Sequence, residues 1–343
     1  MDFGNINNSL QQPGGVPSPQ MVQTGGKGTG WKILWAIITG FSVLANVALF
    51  LMLIGVVVLL SGGKEKKFTE EVIEEGPRTA RIAIVSLEGI IDEEQARNMY
   101  WQLKMARADK SVKGLIIRVN SPGGTLSGSD QIYNEILNYR SRENKPVVAF
   151  MQGVAASGGY YSSVACDEIV AEPTAITGSI GVIMGYLVLQ QLLEEKLGIQ
   201  PVIVKAGAKK DWPSSFKPPT DEQLQYLQER IIDPAYKRFV KVVVDGRKEL
   251  TEEDVNRLAD GSIYWAKQAL DEKLIDDIGY LKDAIEKVKS RANIEKAQVI
   301  EYRKPLSLAD ILTAKNKAAV RIDQRTLYEL AAPQVLYLWT GPR

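Results

Sequence analysis

From residue 33 to residue 60 the chain carries no charged side chain. A helix rises about 1.5 Å per residue, so this segment is long enough, with some tilt, to cross a hydrocarbon core roughly 30 Å thick. Its apolar character runs all the way round, unlike the single stripe of a helix packed on a soluble core. The run and the leader before it are both too long for a cleaved signal peptide, and no small-x-small site closes it. A transmembrane anchor is therefore expected over 31–60. Residues 1–30, rich in Gly, Pro, Asn and Gln, have too few core-building groups to fold and read as a disordered tail. A polar stalk is expected over 61–80. Lys27 and Lys32 precede the span, while Lys64, Lys66 and Lys67 follow it, partly offset by Glu65, Glu70 and Glu71, so charge counting leaves the orientation open.

The second constraint is an absence. Among 343 residues there is no histidine, which removes the usual base of Ser/His/Asp and Cys/His enzymes and the commonest zinc ligand. Any hydrolase built from this chain needs another base, and neither a metal site nor a cofactor is expected. The single cysteine, Cys166, cannot close an intrachain disulfide and reads as a small buried hydrophobe. Lys and Arg total 42 against 41 Asp and Glu. The basic residues are spread out rather than gathered into a stripe with interleaved aromatics, so no nucleic-acid partner is expected.

Beyond the stalk, apolar β-branched runs at 81–87, 114–119, 146–151, 168–171 and 201–205 alternate with helical patterns at 92–108, 129–141, 157–165 and 186–197. Such alternation predicts an α/β domain of repeated βα units on a largely parallel sheet. A helix-rich C-terminal part follows, with patterns at 221–246, 252–259, 265–272 and 281–291. The expected domain spans 81–295 and the expected C-terminal extension 296–343. No fixed period marks a solenoid.

Asn120-Ser121-Pro122-Gly123-Gly124 follows the 114–119 run directly, where loops of open α/β sheets build sites. Paired glycines let the backbone approach a ligand and point N–H groups at it, as an oxyanion hole requires, although a Pro-Gly-Gly turn needs no function. After the 146–151 run comes Gly153-Val154-Ala155-Ala156-Ser157-Gly158-Gly159-Tyr160-Tyr161. Ser157 there could be a plain helix cap, and the segment does not match a Gly-x-Ser-x-Gly elbow. With both loops at one sheet edge, the Gly124 and Gly158 amides could converge on an oxygen beside the Ser157 hydroxyl. Without histidine, the base for that hydroxyl is a carboxylate or a lysine made neutral by burial. Lys205, Lys209 and Lys210 all follow the 201–205 run, and spacing does not choose among them. Two weaker matches are set aside. Ser61-Gly62-Gly63-Lys64 has two glycines and no Ser-Asp-Asn or Lys-Thr-Gly partner, and Gly25 to Gly30 lacks the Gly-Lys-Ser/Thr ending of a phosphate loop.

Taken in order, Asn120 to Gly124, Ala156-Ser157-Gly158-Gly159-Tyr160-Tyr161, Thr177-Gly178-Ser179-Ile180-Gly181-Val182, Gly207-Ala208-Lys209-Lys210-Asp211 and Asp260-Gly261-Ser262-Ile263-Tyr264 resemble the motifs of the signal peptide peptidase A family. That family is a branch of the Clp-protease and crotonase superfamily. The resemblance covers roughly residues 81–290. It implies that Ser157 is the nucleophile, that Lys210, three positions after Gly207, is the general base, and that Ser179 helps hold the lysine. Ser179 as a merely packed or capping serine is the alternative. The implied oxyanion amides are Gly124, with Gly123 as its substitute, and Gly158. The resemblance further implies a homo-oligomeric ring with sites shared between adjacent subunits, of the single-unit type. It implies hydrophobic peptides, remnant signal peptides in particular, as substrates, and an inner-membrane anchor with the catalytic domain on the extracytoplasmic side. The segment Trp212-Pro213-Ser214-Ser215-Phe216 departs from the family's form. Two other readings stand beside this one: a crotonase-like acyl-CoA enzyme using the same oxyanion hole, and a catalytically idle membrane scaffold. The apolar ending 331–339 resembles a hydrophobic substrate and is expected to visit the groove, where it could be trimmed.

Overall fold

The computed structural model describes residues 29–60, 68–305 and 334–341. The expected tail through residue 28, the Ser61 to Lys64 match, the first part of the stalk and most of the C-terminal extension lie outside these residues. The chain divides into two units between residues 65 and 66.

The first unit contains α1 (Thr29–Leu60). Its stretch Gly30–Gly55 has a mean hydropathy of 2.4 and is long and apolar enough to cross a membrane. Two polar side chains within it bond to their own helix: the Thr39 hydroxyl donates to the Trp35 carbonyl (2.8 Å) and the Asn46 amide to the Ser42 carbonyl (2.7 Å).

The second unit is a mixed α/β domain. Its central strands are β1 (Thr69–Glu74), β2 (Arg81–Glu88), β3 (Val112–Ser121), β5 (Val147–Ala156), β6 (Glu168–Ala171), β10 (Asp277–Ile278) and β11 (Gln298–Arg303), in the order β1-β11-β2-β3-β5-β6-β10. All pairs along this path are parallel except β1 with β11. Short β7 (Ile176–Gly178) extends the end of β5 in parallel and carries β9 (Ile263–Trp265) antiparallel. A separate small sheet holds β4 (Gly123–Thr125), β8 (Ile183–Gly185) and β12 (Gln334–Leu338), with β12 in the middle.

The middle strands β2, β3, β5 and β6 are buried on both faces over their apolar runs, and strand alternation sorts their side chains into two cores. Ala83, Val85, Leu115, Ile117, Val147 and Ala149 face the larger core, with α2 (Glu93–Ala108), α3 (Leu126–Glu143), α4 (Gly158–Ser163) and α6 (Asp233–Gly246) contributing to it. Ile82, Ile84, Ile116, Val148 and Phe150 face the other, closed by Ala284, Ile285 and Val288 of α9 (Leu281–Ala292). Cys166 lies buried in the larger core, and burial pushes its thiol well above the usual range. The expected 221–246 helix is α5 (Asp221–Leu227) joined to α6 through a π-helical turn at Gln228–Ile232, followed by α7 (Glu252–Leu258) and α8 (Ala266–Asp271).

Two expectations fail in one place. The 201–205 run is not a strand, and of the 186–197 helix the largest element formed is a π-helical turn at Leu192–Lys196. The cause is exposure. Val202 and Val204 are 86% and 95% accessible, so an apolar run that would normally enter a core finds no partner among the described residues. The sheet also extends past the expected domain limits, because 69–74 and 298–303 pair as its antiparallel edge.

Candidate active site

β3 and β5 both end at the same sheet edge, so the loops that follow them meet there. Ser157 closes β5 and precedes α4 with φ 53 and ψ −114, a conformation that a residue with a Cβ adopts only under constraint. The constraint is visible. Its N–H donates to the Gly178 carbonyl (2.8 Å) and its carbonyl accepts from the Tyr161 N–H (2.8 Å). Although it occupies the N-cap position, its side chain makes no capping bond, so the plain-cap reading fails. Ser157 is 1% exposed and lines a cleft of about 410 Å³ together with Ser179, Val182, Tyr236, Asp260 and Trp339. Ser179 is held at φ 52, with its N–H on the Ser262 carbonyl (2.7 Å).

The middle strand of the small sheet is the chain's own tail. β12 runs antiparallel to β4, with Leu336 opposite Thr125, Tyr337 opposite Gly124 and Leu338 opposite Gly123. On its other side it pairs with β8, Gln334 opposite Gly185 and Leu336 opposite Ile183. The Trp339 N–H donates to the Pro122 carbonyl (2.8 Å). By the alternation of antiparallel ladders, residues 337 and 124 then form the next close pair. A Cβ on Gly123 would lie 2.0 Å from the Tyr337 carbonyl oxygen, and one on Gly158 would lie 3.1 Å from the same atom. The carbonyl is therefore pressed between the two glycine loops beside Ser157. Gly124 has a different reason to be glycine, since a Cβ there would meet the Ile91 carbonyl oxygen at 2.0 Å.

The Tyr337 side chain is fully buried. Its ring stacks on Tyr161 with centroids 5.0 Å apart and planes 26° apart, and meets Phe239 at 4.8 Å. Its hydroxyl donates to the Ala235 carbonyl (2.7 Å). Burial pushes both the Tyr337 and Tyr161 phenols well above their ordinary range, so both stay protonated donors. Tyr161 was visible in the sequence without a role. Phe239 and Ala235 carry no sequence mark at all, because α6 reads as an ordinary amphipathic helix.

Thus Ser157, Ser179, Gly124 and Gly158 are brought together, whereas Lys210 is not. It is exposed on the 186–220 arm and does not line the cleft. Its two rivals are engaged elsewhere. The Lys205 ammonium bonds the Ala208 carbonyl (2.7 Å) and pairs with Asp211, whose carboxyl this contact holds below its usual range. The Lys209 ammonium sits over the rings of Tyr226 (4.2 Å) and Trp212 (4.8 Å). Among the described residues, the Lys210 ammonium has no hydrogen bond or ion pair.

Comparison with known proteins adds an independent line. Residues 140–295 match the model of peptidase family S49, and residues 55–173 match that of Clp protease. The chain is 36% identical over 288 residues to a provisionally named signal peptide peptidase SppA of Enterococcus faecium, covering 75% of this chain and 83% of that one. It is 32% identical over 220 residues to Protease 4 of Salmonella typhi, covering 64% of this chain and 35% of that protein. To the chloroplastic serine protease SPPA of Arabidopsis thaliana it is 34% identical over 236 residues, covering 68% of this chain. The match spans only about a third of the length of each of these last two.

Proposed function

The chain belongs to peptidase family S49 and is a serine peptidase, and from that premise we propose that it cleaves hydrophobic peptides with a Ser157/Lys210 dyad shared between neighbouring copies in a ring. The observation that carries this is the tail strand, whose Tyr337 carbonyl lies between Gly123 and Gly158 beside Ser157. In this reading β12 stands where a substrate strand lies, and the bond from Tyr337 to Leu338 is the one presented.

Ser157 Oγ attacks the carbonyl carbon while a neutral Lys210 amine takes the hydroxyl proton. The oxyanion forms against the amides of Gly158 and of Gly124 or its neighbour. As the C–N bond breaks, the lysine returns the proton to the leaving amine, leaving an acyl-enzyme on Ser157. Lys210 then takes a proton from water, whose oxygen attacks the ester, and returns it to Ser157 Oγ as the C–O bond breaks, releasing the acid and the free serine. Lys210 reaches the site from the adjacent copy, where Ser179 orients it. Favouring this are the unengaged Lys210 side chain and the exposed apolar groups of its arm, Leu187, Leu197, Val202 and Val204, which a neighbour would cover and which would provide the desolvation a neutral amine needs. α1 anchors the ring in a bacterial inner membrane with the peptidase on the extracytoplasmic side, and remnant signal peptides are the substrates.

A fluorophosphonate probe tests the reading. Labelling is expected at Ser157 in the full-length protein and lost in Lys210→Ala. Mixing Ser157→Ala with Lys210→Ala chains restores labelling at about a quarter of the sites if each site draws on two subunits at random. No restoration in well-assembled mixed rings would sink the shared site.

A further inference from the structure

The pocket filled by Tyr337 has a wall that is anchored from outside. Tyr161, which stacks on the Tyr337 ring, donates its hydroxyl to Asp130 Oδ1 at 2.5 Å. The same oxygen accepts from Arg238 Nε (3.1 Å) and Nη2 (2.9 Å). The other carboxylate oxygen accepts from the Asn134 amide (3.1 Å). Tyr133 packs edge-on against Tyr161 at 5.4 Å, with the Arg238 guanidinium 5.8 Å from its own ring centre. One carboxylate thus joins α3, α4 and α6 at the rim of the pocket.

The Arg238 and Asp130 side chains are 40% and 33% exposed. A pair so wet contributes little to stability as an ion pair. Its geometric effect is larger, because a phenol held by a carboxylate makes a charge-assisted bond that fixes the ring's tip, while Phe239 packs edge-on against Tyr161 (centroids 5.0 Å) and tilted against Tyr337 (4.8 Å), so the three rings form one mutual cluster. A flat ring can stack on the fixed Tyr161 face and meet the tilted Phe239 ring together, whereas a branched aliphatic side chain touches them over less area.

Resting on the peptidase reading above, we propose that Asp130 and Arg238 are positioning residues that set a preference for an aromatic side chain immediately before the cleaved bond, by locking the Tyr161 ring as the pocket wall. Neither residue touches the substrate. Asp130 holds the Tyr161 hydroxyl and Arg238 holds Asp130.

The test uses the full-length oligomer and three peptides that differ only in Tyr, Phe or Leu before the cut. In wild type the Tyr and Phe peptides are preferred over Leu. In Asp130→Asn the Tyr-to-Leu ratio of kcat/KM falls about tenfold, mainly through KM of the aromatic peptides. Tyr161→Phe, which keeps the ring and removes only its anchor, moves the ratio in the same direction, and it decides the matter if Asp130→Asn fails to assemble. Asp130→Glu, which keeps a carboxylate, recovers part of the ratio. Equal losses on all three peptides, or an unchanged ratio, would overturn the proposal. Wild-type protein that neither cleaves any peptide nor labels at Ser157 would instead overturn the peptidase reading on which it rests.

Discussion

If the tail strand occupies the groove through its aromatic side chain, then Tyr337→Ala should open the site. The size of the effect follows from what Tyr337 loses. Its ring is fully buried against Tyr161 and Phe239, and its hydroxyl is satisfied by Ala235. Truncating such an aromatic residue costs about 3 kcal/mol at the lower end of the usual range. The tail is covalently attached, so it reseats at high effective concentration and the loss appears directly in the balance between seated and released tail. At about 1.4 kcal/mol per factor of ten, the released fraction rises by about a hundredfold, up to the ceiling of a fully open groove. The assay is the rate of Ser157 labelling by a fluorophosphonate, which requires the tail to leave. Thr340→Ala is the control, since Thr340 lies on the same tail but is exposed. A rise below about threefold, or an equal rise in Thr340→Ala, would refute the argument that Tyr337 burial seats the strand.

Two predictions concern stability. Glu301 is 2% exposed and is held by Arg118, by the Ser86 hydroxyl (2.9 Å) and by Arg303 (3.1 Å). Arg118→Met should lower unfolding stability by about 2 kcal/mol in urea titration by removing one of the two guanidinium partners of that carboxylate, and adding Glu301→Leu should restore part of it; an additive double variant would contradict the coupling. At Asp109 burial alone would raise the carboxyl, but bonds from the Ser111 hydroxyl and amide and from Arg81 outweigh it and hold it below its usual range. A depressed carboxylate stabilises above its unfolded pKa, and that contribution disappears as pH falls through the folded value. Stability measured from pH 6 down to about pH 3 should therefore fall less in Asp109→Asn than in wild type.

The elements that the sequence displayed best are those whose partners lie close by in this chain. The 168–171 strand and the 92–108 helix were legible from periodicity, and the structure adds Asp92 capping the Gln95 N–H at 2.8 Å. Residues 69–74 were not, because a charged, fully exposed edge strand has no apolar period and is defined only by its partner at 298–303. The 201–205 run misled for the opposite reason, having a strand's composition and no partner among the described residues. At the site, Ser157 and the two glycine loops were legible from their small residues and order. Residues Asp130 and Arg238 were not, since each looks like part of a solvated helix face until Tyr161 is placed between them. The 331–339 ending was expected to visit the groove as a substrate-like segment; residues 334–338 form a strand beside Gly123 and Gly124, a register that composition could not give.

Register is what turns the tail into a statement about the cut. Side chains alternate along a strand, so Tyr337 enters the pocket while Leu336 and Leu338 point the other way, and a shift of one residue would exchange them. Backbone pairing to Gly123, Gly124 and Thr125 is indifferent to side-chain identity. The buried aromatic ring is therefore the feature that chooses the register. Self-trimming, if it follows this alignment, releases residues 338–343 and leaves Tyr337 as the new C-terminus in wild type, whereas Ser157→Ala retains Arg343 by intact mass. Exchanging the two positions, Leu336→Tyr with Tyr337→Leu, keeps composition and length nearly unchanged but offers the pocket its ring one residue earlier. The strand should then slide by one residue and the new C-terminus should be residue 336. A cut that stays after residue 337 in the exchanged chain would show that the backbone ladder, not the aromatic pocket, sets where the carbonyl meets Ser157.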